Sequence, residues 1–126
     1  MTTTEHVHVL LVEDDEDLRP ILARHLAGKG FRVAEAVSAE DATAQLAAGL
    51  TPAMVLLDLN LPGDTGWDFL RRGALAAAGS PPVVVTTAVT VNPRQLREFA
   101  VAGYLPKPFA METLVATVER FLGARP

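Results

Sequence analysis

Five short apolar runs alternate with longer stretches of helical periodicity, and this alternation limits the possible folds more than any other feature of the chain. The runs are residues 7–12, 32–37, 53–57, 83–87 and 103–105. Several are rich in β-branched residues, which favour strands. The third and fourth lack the polar alternation of a one-sided sheet, as strands covered by helices on both faces should. The sequence therefore predicts a doubly wound α/β domain with five parallel strands and five helices, joined by right-handed crossovers.

Capping and helix-breaking residues mark the ends of the predicted helices. The acidic residues 15–17 precede the first helix, with Asp17 as its candidate N-cap, and Gly28 ends it. The segment Ser38-Ala39-Glu40-Asp41 has the form of a capping box that opens the second helix. The remaining helices are predicted over residues 66–78, from Asn92-Pro93 onward, and from Met111 to Gly123.

Composition restricts both the location and the chemistry of the chain. Its 126 residues, 49% of them hydrophobic, suit a single domain over residues 1–126, with a short disordered N-terminus at about residues 1–5. No bilayer-spanning run and no secretory signal pattern is present, which predicts a cytoplasmic protein without membrane contact. The net charge of -4 and the scattered basic residues argue against direct nucleic-acid binding. Since the chain has no cysteine, covalent chemistry would fall to other groups, carboxylates first.

Polar residues follow four of the predicted strands. The cluster Glu13-Asp14-Asp15 follows the first, Asp58 the third, Thr86-Thr87 ends the fourth, and Lys107 comes after the fifth. In a doubly wound sheet, ligands gather at the carboxyl ends of the strands. Carboxylates crowded there repel one another unless a divalent cation and an ammonium hold them ionised. The pattern predicts a Mg²⁺ site beside Lys107, at which an Asp could attack phosphorus.

Four segments in this order and spacing resemble the bacterial receiver domain of response regulators, the CheY-like superfamily. They are Leu-Val-Glu-Asp-Asp-Glu-Asp-Leu-Arg at 11–19, Val-Leu-Leu-Asp-Leu-Asn-Leu-Pro-Gly at 55–63, Val-Thr-Thr-Ala at 85–88 and Gly-Tyr-Leu-Pro-Lys-Pro-Phe at 103–109. The resemblance covers nearly the whole chain. It implies a flavodoxin-like sheet with strand order 2-1-3-4-5.

The resemblance assigns a role to each acidic residue of the site. Asp58 would be the phosphoacceptor, and a single Mg²⁺ would be its cofactor. Asp14 would contact the metal directly and Glu13 through water, while Asn60 would offer its backbone carbonyl.

The resemblance also implies a switch. Thr87, preferred to Thr86 because an alanine follows it, would bond the phosphoryl oxygen through its hydroxyl. Lys107 would pair with Asp58 or its phosphate, and the Lys107-Pro108 bond would be cis. Tyr104 occupies the aromatic switch position, although a static core residue is the alternative for it.

The implied function is phosphoacceptance in a two-component phosphorelay. A sensor histidine kinase or phosphotransfer protein would phosphorylate Asp58, and the face made by helix four, strand five and helix five would signal to a downstream protein. The chain would be a self-phosphorylating and autodephosphorylating switch and not a turnover enzyme.

A monomer or a weak phosphorylation-dependent dimer is expected, because Thr117 stands where receivers that dimerise through this face often carry Arg. The stretch from Thr87 to Lys107 is about two residues shorter than in the family, which predicts a short or displaced fourth helix.

Three other functions compete with this one. A pseudo-receiver would keep the fold as a protein-binding module without phosphorylation, but it usually lacks the Asp, the acidic pair or the Lys. An Asp-nucleophile phosphatase of the haloacid-dehalogenase type would need an Asp where the chain has Asn60. A flavin-binding relative would need a Ser/Thr/Gly-rich phosphate loop after the first strand, and none is present.

Overall fold

The computed structural model describes residues 5–125, and it confirms the doubly wound α/β architecture. All strand pairs are parallel, in the order β2-β1-β3-β4-β5, which is the order that the resemblance implies. The short disordered N-terminus predicted at about residues 1–5 lies outside the described residues, except for Glu5, which begins the first strand. The strands are β1 (Glu5–Val12), β2 (Val33–Ala36), β3 (Leu50–Asp58), β4 (Val83–Thr87) and β5 (Gly103–Pro106).

Five α-helices in residues 5–125 cover the two faces of the sheet. They are α1 (Leu18–Gly28), α2 (Ala39–Ala47), α3 (Gly66–Arg72), α4 (Pro93–Glu98) and α5 (Met111–Leu122). Successive side chains of a strand point to opposite faces, so Leu10 and Val12 pack on the side of α2 and α3, whereas Val9 and Leu11 pack on the side of α1 and α5. No helix in this part of the chain is both long and apolar enough to cross a membrane.

The third helix is shorter than predicted. It ends at Arg72 and not at Ala78, because Gly73 adopts a left-handed conformation (φ 73°) that stops the helix. Residues 76–78 form a separate turn of 3₁₀ helix. The helix begins at Gly66 as predicted, with a complete capping box between Thr65 and Asp68.

The first helix is capped differently from the prediction. Asp17 precedes α1, but its backbone is already helical and its side chain makes no capping bond. Asp15 takes this role, since its Oδ1 accepts from the N–H groups of Asp17 (2.9 Å) and Leu18 (3.0 Å). For the second helix the prediction is confirmed in part. Ser38 Oγ accepts from Asp41 N–H (3.0 Å), while the Asp41 carboxylate accepts from Val37 instead of Ser38.

The fourth helix is short, as predicted. It has six residues, none of them buried, and begins at Pro93 after the N-cap Asn92. Its apolar contacts with the core come from the partly buried Leu96 and from Phe99, which follows the helix and stacks on Trp67 of α3 (ring centroids 5.2 Å apart). A helix with so little buried surface can shift at low energetic cost.

Candidate functional site

Three carboxylates meet at the carboxyl edge of the sheet. Glu13 directly follows β1 and Asp58 ends β3. Because Val12 of β1 pairs in register with Leu57 of β3, the next residue of each strand lies beside the other. Glu13 and Asp58 are only 2% and 4% exposed, and one oxygen from each of Glu13, Asp14 and Asp58 lies within 4.8 Å of the others. The structure thus brings together the acidic residues that the sequence singled out.

Lys107 reaches this cluster from the turn after β5. Its Nζ donates to Glu13 Oε1 at 2.6 Å and to Asp58 Oδ2 at 3.4 Å, and its side chain is 20% exposed. Its backbone N–H donates to the carbonyl of Thr87 (2.8 Å), and the Lys107-Pro108 peptide is cis, as the resemblance implies. The ammonium therefore lies beside Asp58 as expected, but Glu13 is the nearer partner.

Burial and charge determine the ionisation of this cluster. Burial raises the pKa of Glu13 to about 7, and the Asp58 carboxylate adds to this effect, although the hydrogen bond from Lys107 opposes it. Burial lowers the pKa of Lys107, but the hydrogen bond with Glu13 and the negative charges of Asp58 and Glu13 outweigh it, so the net shift is upward. The ammonium therefore stays charged at neutral pH, while the raised pKa means that the Glu13 carboxyl holds a proton more readily than a free glutamate does.

The donor atoms suit a hard divalent cation. All three candidate ligands offer carboxylate oxygens, which Mg²⁺ prefers. Oxygens on opposite sides of Mg²⁺ lie about 4.2 Å apart, twice the metal–oxygen distance of about 2.1 Å. The three carboxylate oxygens lie within 4.8 Å of one another, a limit only slightly larger than that span. Asn60, the fourth predicted ligand, is placed beside the cluster, since its N–H donates to Asp58 Oδ1 (3.0 Å). These residues could hold Mg²⁺ with small adjustments of their side chains.

The two predicted switch residues are joined through Val89. Thr87 is buried at the end of β4, and its Oγ1 accepts from the N–H of Val89 (3.2 Å). The Tyr104 hydroxyl donates to the carbonyl oxygen of the same residue (3.3 Å). Tyr104 is 37% exposed, so in this structure its ring lies at the surface and not in the core.

Sequence reasoning missed two residues that support Glu13. The N–H of Asp15 donates to Glu13 Oε2 (3.2 Å), and Arg19 Nη1 donates to the backbone carbonyl of Glu13 (3.1 Å). Arg19 also lies 3.4 Å from Glu35 of β2. Asp15 could not be singled out because it stands in a run of acidic residues. No rule of sequence spacing connects Arg19 of α1 with Glu35 of β2.

Comparison with known proteins identifies the family. The model of the response regulator receiver domain matches residues 9–119, which is most of the chain. The chain belongs to the response-regulator receiver family. Receiver domains act in two-component signalling, in which they interact with histidine kinases or phosphotransfer proteins.

Individual relatives agree with this assignment. The receiver domain is 32% identical over 116 residues to the uncharacterised transcriptional regulatory protein YvcP of Bacillus subtilis, and the match covers 90% of this chain and 48% of the relative. The chain therefore spans about half the length of this curated relative. Among solved structures, the chemotaxis response regulator CheY4 of Vibrio cholerae is 26% identical, with a TM-score of 0.80 and coverage of 94% of this chain and 99% of that one. A BeF3-activated DrrB receiver domain is 25% identical, with a TM-score of 0.77 and coverage of 94% and 98%.

Proposed function

We propose that this receiver domain accepts a phosphoryl group on Asp58 in a Mg²⁺-dependent reaction, with a sensor histidine kinase or a phosphotransfer protein as donor. The observation that carries the proposal is the position of Asp58, a buried carboxylate at the carboxyl edge of the sheet, with oxygens of Glu13 and Asp14 within 4.8 Å and the Lys107 ammonium 3.4 Å from Oδ2. The BeF3 activation of the related DrrB domain is consistent with this reaction.

Each residue around Asp58 would have its own role in phosphoryl transfer to this carboxylate. The N–H of Asn60 orients Oδ1, while Oδ2 faces the ammonium. A carboxylate oxygen forms the new bond to phosphorus as the phosphorus–nitrogen bond of the donor histidine breaks, and the leaving imidazole keeps the electron pair and takes up a proton. Mg²⁺ held by Glu13, Asp14, Asp58 and the Asn60 carbonyl would neutralise charge on the equatorial oxygens. Lys107 would contribute a second positive charge next to Asp58 Oδ2.

Phosphorylation would then act on the loop after β4. The phosphoryl group offers strong acceptor oxygens to the Thr87 hydroxyl, which now accepts from Val89 N–H. When the hydroxyl turns towards the phosphate, the Val89 N–H loses this partner and Val89 is free to move. The long hydrogen bond from the Tyr104 hydroxyl to the Val89 carbonyl then weakens as well. The exposed ring can then turn inward, which changes the face formed by α4, β5 and α5 for a downstream protein.

We propose a switch and not a turnover enzyme, because the chain has Asn60 where an Asp-nucleophile phosphatase needs a second Asp. We propose a monomer or a weak phosphorylation-dependent dimer. Thr117 on α5 donates its hydroxyl to the Thr113 carbonyl of the same helix (2.7 Å), so this position offers no cation for ion pairs with a second copy.

The test compares intact masses after incubation with a small-molecule phosphodonor, with and without Mg²⁺. We expect one phosphoryl adduct in the wild type, dependent on Mg²⁺, and none in Asp58→Ala. Asp17→Ala is the matched control, because this aspartate follows Asp14 by three positions in the sequence but makes no side-chain capping bond, and it should behave as the wild type does. A wild type without an adduct under any condition would contradict the proposal and favour the pseudo-receiver, a module that only binds proteins.

A further inference from the structure

Arg19 is a largely buried cation outside the acidic cluster. It is the second residue of α1, and its side chain is 13% exposed. Removing a guanidinium from water is costly unless its donors are satisfied. Here Nη1 donates to the Glu13 carbonyl (3.1 Å), and Nε lies 3.4 Å from Glu35 Oε1 on the edge strand β2. The side chain therefore bridges the loop after β1 and the neighbouring strand.

The carbonyl that Arg19 binds belongs to the peptide that joins Glu13 to Asp14. A peptide group is planar, so a fixed carbonyl direction also fixes the direction from which the chain enters Asp14. The other atoms of Glu13 are held as well, since its N–H donates to Ala36 O (3.1 Å) and its Oε2 accepts from Asp15 N–H (3.2 Å). Of these contacts, only the bond from Arg19 acts on the carbonyl between the two candidate ligands.

We propose that Arg19 is a positioning residue of the acidic site, which sets the affinity for Mg²⁺ by holding the Glu13–Asp14 peptide, while Glu35 restrains the guanidinium. The inference rests on the proposed Mg²⁺-dependent function and adds a residue to it. Arg19 touches neither the metal ligands' carboxylates nor the acceptor oxygens of Asp58 in the contacts described above, so its effect is indirect. Loss of a group that orients metal ligands typically costs about 10- to 100-fold in affinity.

The test measures the Mg²⁺ dissociation constant of Arg19→Met by titration calorimetry, together with the rate of adduct formation over a range of Mg²⁺ concentrations. Met keeps an unbranched apolar stem but loses every donor. We expect the dissociation constant to rise about tenfold, at the low end of the usual range because Arg19 acts on the backbone. The slower rate should recover when Mg²⁺ is raised to saturation. A residue that only stabilises the fold would lower the melting temperature without this Mg²⁺ dependence.

Two further variants make the comparison specific. Arg24→Met removes an exposed arginine from the same helix and should leave the dissociation constant within about twofold of the wild type. Glu35→Gln keeps the bond from Arg19 to the Glu13 carbonyl but removes the ion pair, so we expect a rise of only about two- to threefold. If Arg19→Met does not unfold cooperatively, Arg19→Gln, whose side chain is too short to make the same contact, takes its place under the same criteria.

The result that overturns the inference is an Mg²⁺ dissociation constant for the Arg19 variant equal to that of Arg24→Met in a protein that binds Mg²⁺ and forms the adduct. A wild type that binds no Mg²⁺ and forms no adduct would instead contradict the proposed function itself. The two failures are therefore distinguishable in the same set of measurements.

Discussion

Gly66 lies against the backbone of Asp58, the proposed phosphoacceptor, and offers a direct test of the packing there. A Cβ added at this position would lie 2.7 Å from the Asp58 carbonyl oxygen and 2.8 Å from Leu59 Cα. Carbon atoms in contact normally lie about 3.5–4.0 Å apart, so in Gly66→Ala the new methyl overlaps Leu59 Cα by about 0.7 Å. The N–H of Gly66 also donates to Leu59 O (3.1 Å). The start of α3 therefore cannot move away from β3 without straining this bond.

The magnitude follows from the kind of atoms that the methyl meets. Overpacking of a buried site costs about 1–3 kcal/mol, and two of the three nearest atoms around Gly66 are backbone, which cannot rotate aside. We therefore expect Gly66→Ala to lower the free energy of unfolding by about 2 kcal/mol. The melting temperature should fall by about 4 °C per kcal/mol for a domain of this size. Because the strain falls on Asp58, adduct formation should also be slower.

Gly28→Ala is the matched control, with the opposite expected sign. A Cβ at Gly28, the last residue of α1, meets no atom within 4 Å, so the same substitution should raise stability by about 0.5–1 kcal/mol. Both variants are measured by urea unfolding followed by circular dichroism, with intact mass as the readout of phosphorylation. If Gly66→Ala were as stable as Gly28→Ala, the backbone of Asp58 and Leu59 would not lie as close to position 66 as the structure shows.

Three other predictions concern the candidate metal site and the residue that follows the fourth helix. A proton and Mg²⁺ compete for Glu13, whose pKa is raised to about 7. Calorimetry should therefore show that the Mg²⁺ affinity increases from about pH 6 to about pH 8 and that binding releases protons. An affinity that does not change with pH would contradict this prediction. In the metal-free protein the folded state holds this proton more tightly than the unfolded state, so stability should fall as the pH rises from about 4.5 to 7. Phe99→Leu removes the ring that stacks on Trp67, the single tryptophan of the chain. The fluorescence emission of Trp67 should therefore shift, and the free energy of unfolding should fall by about 0.5–1.5 kcal/mol. Unchanged emission would show that the stack does not persist in solution.

The sequence alone determined the fold class and the acidic centre. Short apolar runs rich in β-branched residues alternate along the chain with longer stretches in which apolar residues recur at helical spacing, and this contrast is visible without any tertiary information. Once the strands are parallel, the residues after them must meet at one edge, which places Glu13, Asp58 and Lys107 together without any knowledge of packing. The fourth helix was predicted to be short or displaced, because the segment between Thr87 and Lys107 is shorter than in the family that the sequence resembles, and it is short.

Only the tertiary structure decided how these residues contact one another. Lys107 lies nearer to Glu13 than to Asp58, and Arg19 holds the Glu13 carbonyl from a neighbouring helix. Val89 joins Thr87 to Tyr104, although its side chain gives no sign of this. Such contacts depend on small differences in the separation of groups, some of them near in the sequence, as Arg19 and Glu13 are, and some far apart, as Lys107 and Glu13 are. Strand register and helix packing determine those separations, and the local patterns of a single chain contain no information about them.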